Sequence, residues 1–342
     1  MADPEHKVAS PLLRIITGSY EHHLLCLSLA LSSSSSLFTP VFHFAPHAAS
    51  IRALATSKRY LVSGSNDEHI RLYDLQKRKE IGTLMHHTGS VSCLVFVGPT
   101  TGKWLLSAAD DGKILIWRTK DWEVLAELTG HKGAINDLAV HFSGKIALSV
   151  GTDRTLRLWN LMTGKNASVL KLRAEPLQVA WNARDGSSYA VGFHRKIVLY
   201  DTASSVVLAE VELASTLYKL RFHDDHLVVS DAAGAITFRN ATDLSVDFSL
   251  VEHKTRVKDF TFYVTSDAPF TQATTLLVSA SSDGTIVVTD LARRQPVAVY
   301  ATGERLNCLQ VVSEHVEKYE TRRPADDSDE SADENDDDDD SS

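Results

Sequence analysis

Cysteine is scarce: Cys26, Cys93 and Cys308 are the only three in 342 residues. An odd number, each inside an apolar strand-like run, excludes a disulfide framework and points to reduced buried thiols in a cytosolic or nuclear setting. Long hydrophobic runs are also missing. Near the start, the longest is Leu24 to Leu31, preceded by the acidic Asp3, Glu5 and Glu21. It is far shorter than the roughly 20 residues of a spanning helix, and its flank is wrong for a secretory leader. A strand is expected there, and no membrane partner. Chelating spacings are absent, since His22-His23 and His86-His87 are adjacent pairs that point to opposite faces of a strand. No glycine-rich phosphate loop precedes a helix. No metal or cofactor is therefore expected. Basic residues are missing from Asp326 to Ser342, which holds 11 of the 44 acidic residues. The remaining 33 acidic residues face 35 basic ones, so the formal charge of -9 conceals a body near +2.

What the chain does have is a repeated phrase. Leu61-Val-Ser-Gly-Ser-Asn-Asp-Glu-His-Ile-Arg-Leu-Tyr73 returns as Leu105-Leu-Ser-Ala-Ala-Asp-Asp-Gly-Lys-Ile-Leu-Ile-Trp117. It returns again at Ala147 to Leu161 and at Leu277 to Leu291, with weaker copies at Tyr189 to Thr202 and Leu227 to Ala241. The aromatic slot falls at Tyr73, Trp117, Trp159, Tyr200, Phe238 and Thr289, so the steps are 44, 42, 41, 38 and 51. The long last step places an insertion at Ser266 to Thr275. A period near 40, with short alternating runs bounded by Gly, Asp and Ser, is the WD-repeat pattern of a β-propeller with four strands per blade. Thr17 to Leu27 aligns with Ser63 to Tyr73, while Thr302 to Val312 supplies an inner strand without a blade. An all-β, seven-bladed propeller follows, its seventh blade closed by both termini so that no inner strand edge is left unpaired. The expected divisions are an extension at 1–12, the propeller at 13–314 and a disordered acidic tail at 315–342.

A histidine recurs four residues before each of four inner strands, at His47, His87, His131 and His253. Each has a serine and an aspartate downstream: Ser63 and Asp67, Ser107 and Asp111, Ser149 and Asp153, Ser279 and Asp283. The types are those of a hydrolytic triad, but catalysis needs one activated nucleophile beside an oxyanion hole, not four copies around a ring. The structural expectation is a network in which Asp, His, Ser and the aromatic residue satisfy one another. It is complete in His87, Ser107, Asp111 and Trp117, and in His131, Ser149, Asp153 and Trp159. The fourth and fifth blades carry His194 and Ala233 in the Asp slot. They are expected to rely on strand packing and to be the least rigid. No catalytic residue is expected.

The candidate binding face lies where the middle turns meet the loops entering the inner strands. Lys132, Arg154, Arg195, Lys196, Lys254, Arg256 and Arg305 are expected there, with His194 among them, suited to phosphate or acidic protein. Lys77-Arg-Lys79 and Arg293-Arg294 belong to the opposite face. No aromatic interleaving of the kind that binds single strands is visible along the sequence. In the tail, Ser328 and Ser331 are candidate phosphorylation sites for an acidophilic kinase. The tail itself is a candidate partner for basic proteins, a shield for the basic face, or a solubiliser.

Lys145 to Leu161 closely resembles the third repeat of the PAK-interacting WD-repeat family, whose fungal counterpart is the Mak-eleven type of ribosome assembly factor. Gly18-Ser-Tyr-Glu21, Gly64-Ser-Asn-Asp-Glu68, His86-His-Thr-Gly89, His131-Lys-Gly133, His253-Lys-Thr-Arg-Val-Lys-Asp259 and Ala280-Ser-Ser-Asp-Gly284 agree in order, from about Ile15 to Val312. The resemblance implies a non-enzymatic scaffold of the nucleus and nucleolus, active in large-subunit (60S) biogenesis and pre-rRNA processing. Its implied partners are pre-60S proteins and pre-rRNA, with the chain a monomer inside a larger complex. For animal members it also implies negative regulation of a PAK-type kinase. Family members commonly end in a lysine-rich tail. This chain ends in Asp and Glu, so RNA binding or nucleolar retention by such a tail is not carried over.

Overall fold

The computed structural model describes residues 11–32, 35–98, 102–265 and 273–316. The insertion loop at 266–272, the acidic tail from 317 and its Ser328 and Ser331 lie outside the described residues. Within them, seven four-stranded antiparallel sheets follow one another around a ring. The first six are consecutive meanders over residues 51–84, 91–128, 135–171, 176–212, 217–251 and 257–301.

The seventh sheet closes the ring. Pro11–Ser19, Leu24–Leu31 and Ser36–Phe44 supply its outer three strands, and Leu306–Ser313 is its innermost. The two chain ends run antiparallel from Leu13 opposite Ser313 to Gly18 opposite Cys308. The apolar run Leu24–Leu31 is a strand buried along its whole length. Beyond the last strand, a 3-10 turn at Glu314–Val316 folds back on the N-terminal strand. There the Arg14 guanidinium donates to both Glu314 carboxylate oxygens at 3.2 and 2.9 Å, and Ser28 Oγ donates to Oε2 at 2.9 Å. A buried bidentate pair thus fastens the clasp.

The core sits between blades, because each sheet is apolar on both faces. Leu13, Leu27 and Leu29 of the clasp pack against Leu276, Val278 and Ile286 of the sixth blade. On the other side Ile16, Leu24 and Cys26 meet Ile51, Leu61 and Tyr73 of the first. All three cysteines are buried thiols outside any disulfide. Burial pushes the Cys93 thiol up to about 12 and raises Cys308 as well.

Candidate binding face

The face that carries the histidines is built by a polar chain running through each strong blade. In the second, Trp117 Nε1 donates to Ser107 Oγ at 2.9 Å, and His87 lies 2.8 Å from both Ser107 and Asp111. In the third, Trp159 Nε1 donates to Ser149 at 2.8 Å. His131 Nε2 lies 2.7 Å from that serine, and its Nδ1 lies 3.0 Å from Asp153. An ionised carboxylate only accepts, so Nδ1 carries the proton and Nε2 accepts from the serine. Each aspartate also accepts backbone N–H groups: Thr88 and Lys113 on Asp111, Lys132 and Thr155 on Asp153. Burial alone would raise these two carboxyls, but the hydrogen bonds outweigh it and leave both below the usual range.

The first blade forms the same chain through His47, Asp67 at 2.9 Å and Ser63 at 2.8 Å, with the buried Tyr73 in the aromatic slot. The sixth blade departs from it. His253 reaches Ser279 at 2.7 Å but meets Thr285 Oγ1 at 2.9 Å, and Thr285 in turn donates to Asp283. In the aromatic slot, Thr289 donates to Glu252 instead. Burial lowers the pKa of His47, His131 and His253.

The geometry is that of a triad, yet it has no reach. Ser63, Ser107, Ser149 and Ser279 are all 0% exposed. In the second and third blades an indole N–H occupies the serine oxygen. A substrate carbonyl has no path to any of them, and the chains pin loops to strands.

The fourth and fifth blades replace polar chains with rings. Tyr189 and Tyr200 stack at 5.3 Å with Trp181 edge-on to Tyr189, and Phe238 stacks on Phe248 at 4.3 Å. Asp231 sits two positions before Ala233 and caps its own turn, accepting from the Ala233 and Ala235 N–H groups.

The loops held this way present the cations. Lys132, Arg154, Arg195, Lys254 and Arg305 are exposed, whereas Lys196 and Arg256 are half-buried. Two of them already have partners. Lys196 is paired with Glu210, and the Arg195 guanidinium donates to the carbonyls of Leu213 and Ala214. Arg154, with φ of 58°, and Lys132 belong to the third blade. Arg256 and Arg305 both lie close to Lys258.

Two groupings escape a linear reading. His23 Nδ1 and His43 Nε2 both lie 2.8 Å from Oε1 of Glu304. The three offer metal-type donors within 4.8 Å of one another. As they stand they are a hydrogen-bonded knot between the two chain ends. Burial would raise Glu304, but hydrogen bonds from His43, Ser19 and His23 hold it below the usual range. The pair His22-His23 gave no hint of this, because the partners come from strand ends remote in sequence.

The second grouping is a ring of bulges. In six blades the pairing register slips across the second residue of the inner strand: Arg52, Ser92, Asn136, Leu177, Tyr218 and Lys258. In the seventh it slips opposite Asn307. A bulge leaves its residue out of the ladder and re-aims the side chain. Several reach the next blade: Asn136 donates to the Pro176 carbonyl, Asn307 to that of Ile51, and Arg52 to Asp110. Below them all seven inner strands line a central channel of about 600 Å³.

Comparison with known proteins agrees with this architecture. The family model "WD domain, G-beta repeat" matches residues 38–74, 78–118 and 122–160. The chain is 41% identical to Protein MAK11 of Saccharomyces cerevisiae, covering 92% of this chain and 86% of the relative. It is 33% identical to p21-activated protein kinase-interacting protein 1 of Homo sapiens, over 87% of this chain and 77% of the relative. The chain belongs to this MAK11 and PAK-interacting family of WD-repeat proteins. A further member, Shk1 kinase-binding protein 15 of Schizosaccharomyces pombe, is 29% identical over 82% of the chain. In this family member the burial of Ser63, Ser107, Ser149 and Ser279 argues against hydrolysis through these four chains.

Proposed function

We propose that this protein is a non-enzymatic scaffold in biogenesis of the large ribosomal subunit, acting in the nucleolus during pre-rRNA processing. The observation that carries the reading is the 41% identity to MAK11 across nearly the whole propeller. The fungal Mak-eleven type is the branch whose resemblance implies subunit assembly. A ring with charged loops on one face and no accessible nucleophile in its polar chains suits that role. The partners proposed are pre-60S proteins and pre-rRNA, met through the histidine-bearing face. The folded unit proposed is 13–314, widened to take in Pro11 and Leu12 of the first strand and the closing turn to Val316, with the acidic residues beyond it as an appendage.

A second reading is supported by the kinase-interacting names of several relatives. In it the same face docks on a PAK-type kinase and restrains it. Affinity purification of the tagged chain with crosslink mapping separates the two. The assembly reading expects crosslinks to large-subunit proteins and assembly factors. Crosslinks confined to a kinase, with inhibition of that kinase by the pure protein, would replace it with the second.

A further inference from the structure

At the junction of the fifth, sixth and seventh blades, three cations lie close to one another. Lys258, the bulge residue of Val257–Thr265, holds its Nζ 4.7 Å over the ring of Tyr218, the bulge residue of Leu217–His223. Arg256 donates to Tyr218 Oη at 3.3 Å and to Ser282 Oγ at 3.1 Å. The Arg305 guanidinium lies 4.7 Å over the ring of Tyr20, itself 55% exposed. Burial, with Arg256 and Arg305 close by, lowers the Lys258 pKa.

None of the three has a carboxylate partner among the described residues, and the neighbouring acids are committed elsewhere. Asp259 holds Arg221 and the Leu309 N–H. Glu304 holds two histidines, and Glu21 accepts the backbone N–H of Arg305. By contrast Arg52, Lys113 and Lys196 on the same face are each paired with an acid. Partly desolvated like charges held together without counter-charge are costly, and an anion relieves them.

We propose that Arg256, Lys258 and Arg305, with Tyr20 and Tyr218, form a binding pocket for single-stranded RNA, the cations taking its phosphates and the tyrosines its bases. Cations set beside aromatic faces are what an unpaired strand requires. A phosphopeptide would use the cations and leave the exposed Tyr20 ring without a role. Folding thus interleaves aromatics with cations, which the linear sequence does not. The proposal deepens the assembly-factor reading, on which it rests for the presence of RNA, but it is measured on the pure protein.

The test is fluorescence anisotropy of the full chain with a mixed-sequence single-stranded RNA of about 12 nucleotides, at about 50 mM salt and upward. Lys258→Gln, Arg305→Gln and Tyr20→Ala should each weaken binding at least about fivefold, the lower end for one lost stack. The two charge variants should also flatten the salt dependence by about 0.7 in log–log slope per lost phosphate contact. Lys77→Gln on the opposite face should bind as the parent does, and thermal melts should confirm folding. Absence of RNA binding, or equal binding by folded variants, overturns the pocket. So does a phosphoserine peptide that binds more tightly than RNA with the same residue dependence. RNA binding that persists while the protein fails to join pre-ribosomal particles leaves the pocket standing and removes only the assembly reading.

Discussion

At the scale of the residue, the histidine chains behave as buried wiring. Removing one member leaves a donor or acceptor in a place water does not reach, which costs about 1–3 kcal/mol. His131→Ala and Asp153→Ala should each lower unfolding free energy by about that much in urea titrations. Their serine, Ser149, is fully buried, so no hydrolytic activity should be gained or lost with them. A variant that kept parental stability while losing a measurable hydrolysis would contradict the structural role. Glu314 is the sharper case, because its loss removes two charge-assisted hydrogen bonds from the buried Arg14 guanidinium in the clasp. Glu314→Ala should cost about 3–5 kcal/mol, the usual effect of breaking one side of a buried pair. A change below about 1 kcal/mol would mean that the clasp does not depend on the pair.

At the scale of the element, two expectations follow from how blades hold their loops. His47, His131 and His253 are kept neutral by burial, below their ordinary 6.5. When the chain unfolds they regain that value and take up protons, so acid favours the unfolded state. Stability is full above about 6.5 and falls as pH drops below it, and the depressed Asp67, Asp111 and Asp153 extend the loss at lower pH. Melting temperature followed by fluorimetry should fall steadily from about pH 7 to about pH 5. A flat or rising profile would contradict the assignment. The fourth and fifth blades lack these chains and rest on stacked rings. Amide exchange should be faster in their middle strands, 188–201 and 226–240, than in 146–160 of the third blade.

The repeats made most of this legible. Alternation set the strands, the recurring Ser and Asp marked the turns, and Thr17 to Leu27 identified the clasp. Groupings made by ring closure were not legible. Glu304 meets His23 and His43 only because the chain ends share a sheet. Lys258 meets Tyr218 only because a bulge displaces both from the ladder. No local spacing encodes either. The basic residues were readable as belonging to loops, but not which of them acids would neutralise.

At the scale of the whole molecule, a ring of seven sheets closed by strands from both ends of the described chain holds its loops on one common frame. The central claim is that this ring joins large pre-ribosomal particles through its histidine-bearing face. Sedimentation of a cell extract through a sucrose gradient tests it most directly, comparing the parent with a charge reversal of Arg154, Arg195, Lys254 and Arg256. The account predicts that the parent travels with the large pre-ribosomal fraction and is released by salt, and that the folded variant stays near the top. It is contradicted if the parent sediments as a free 37.6 kDa protein at low salt, or if the reversed variant travels with the particles as the parent does.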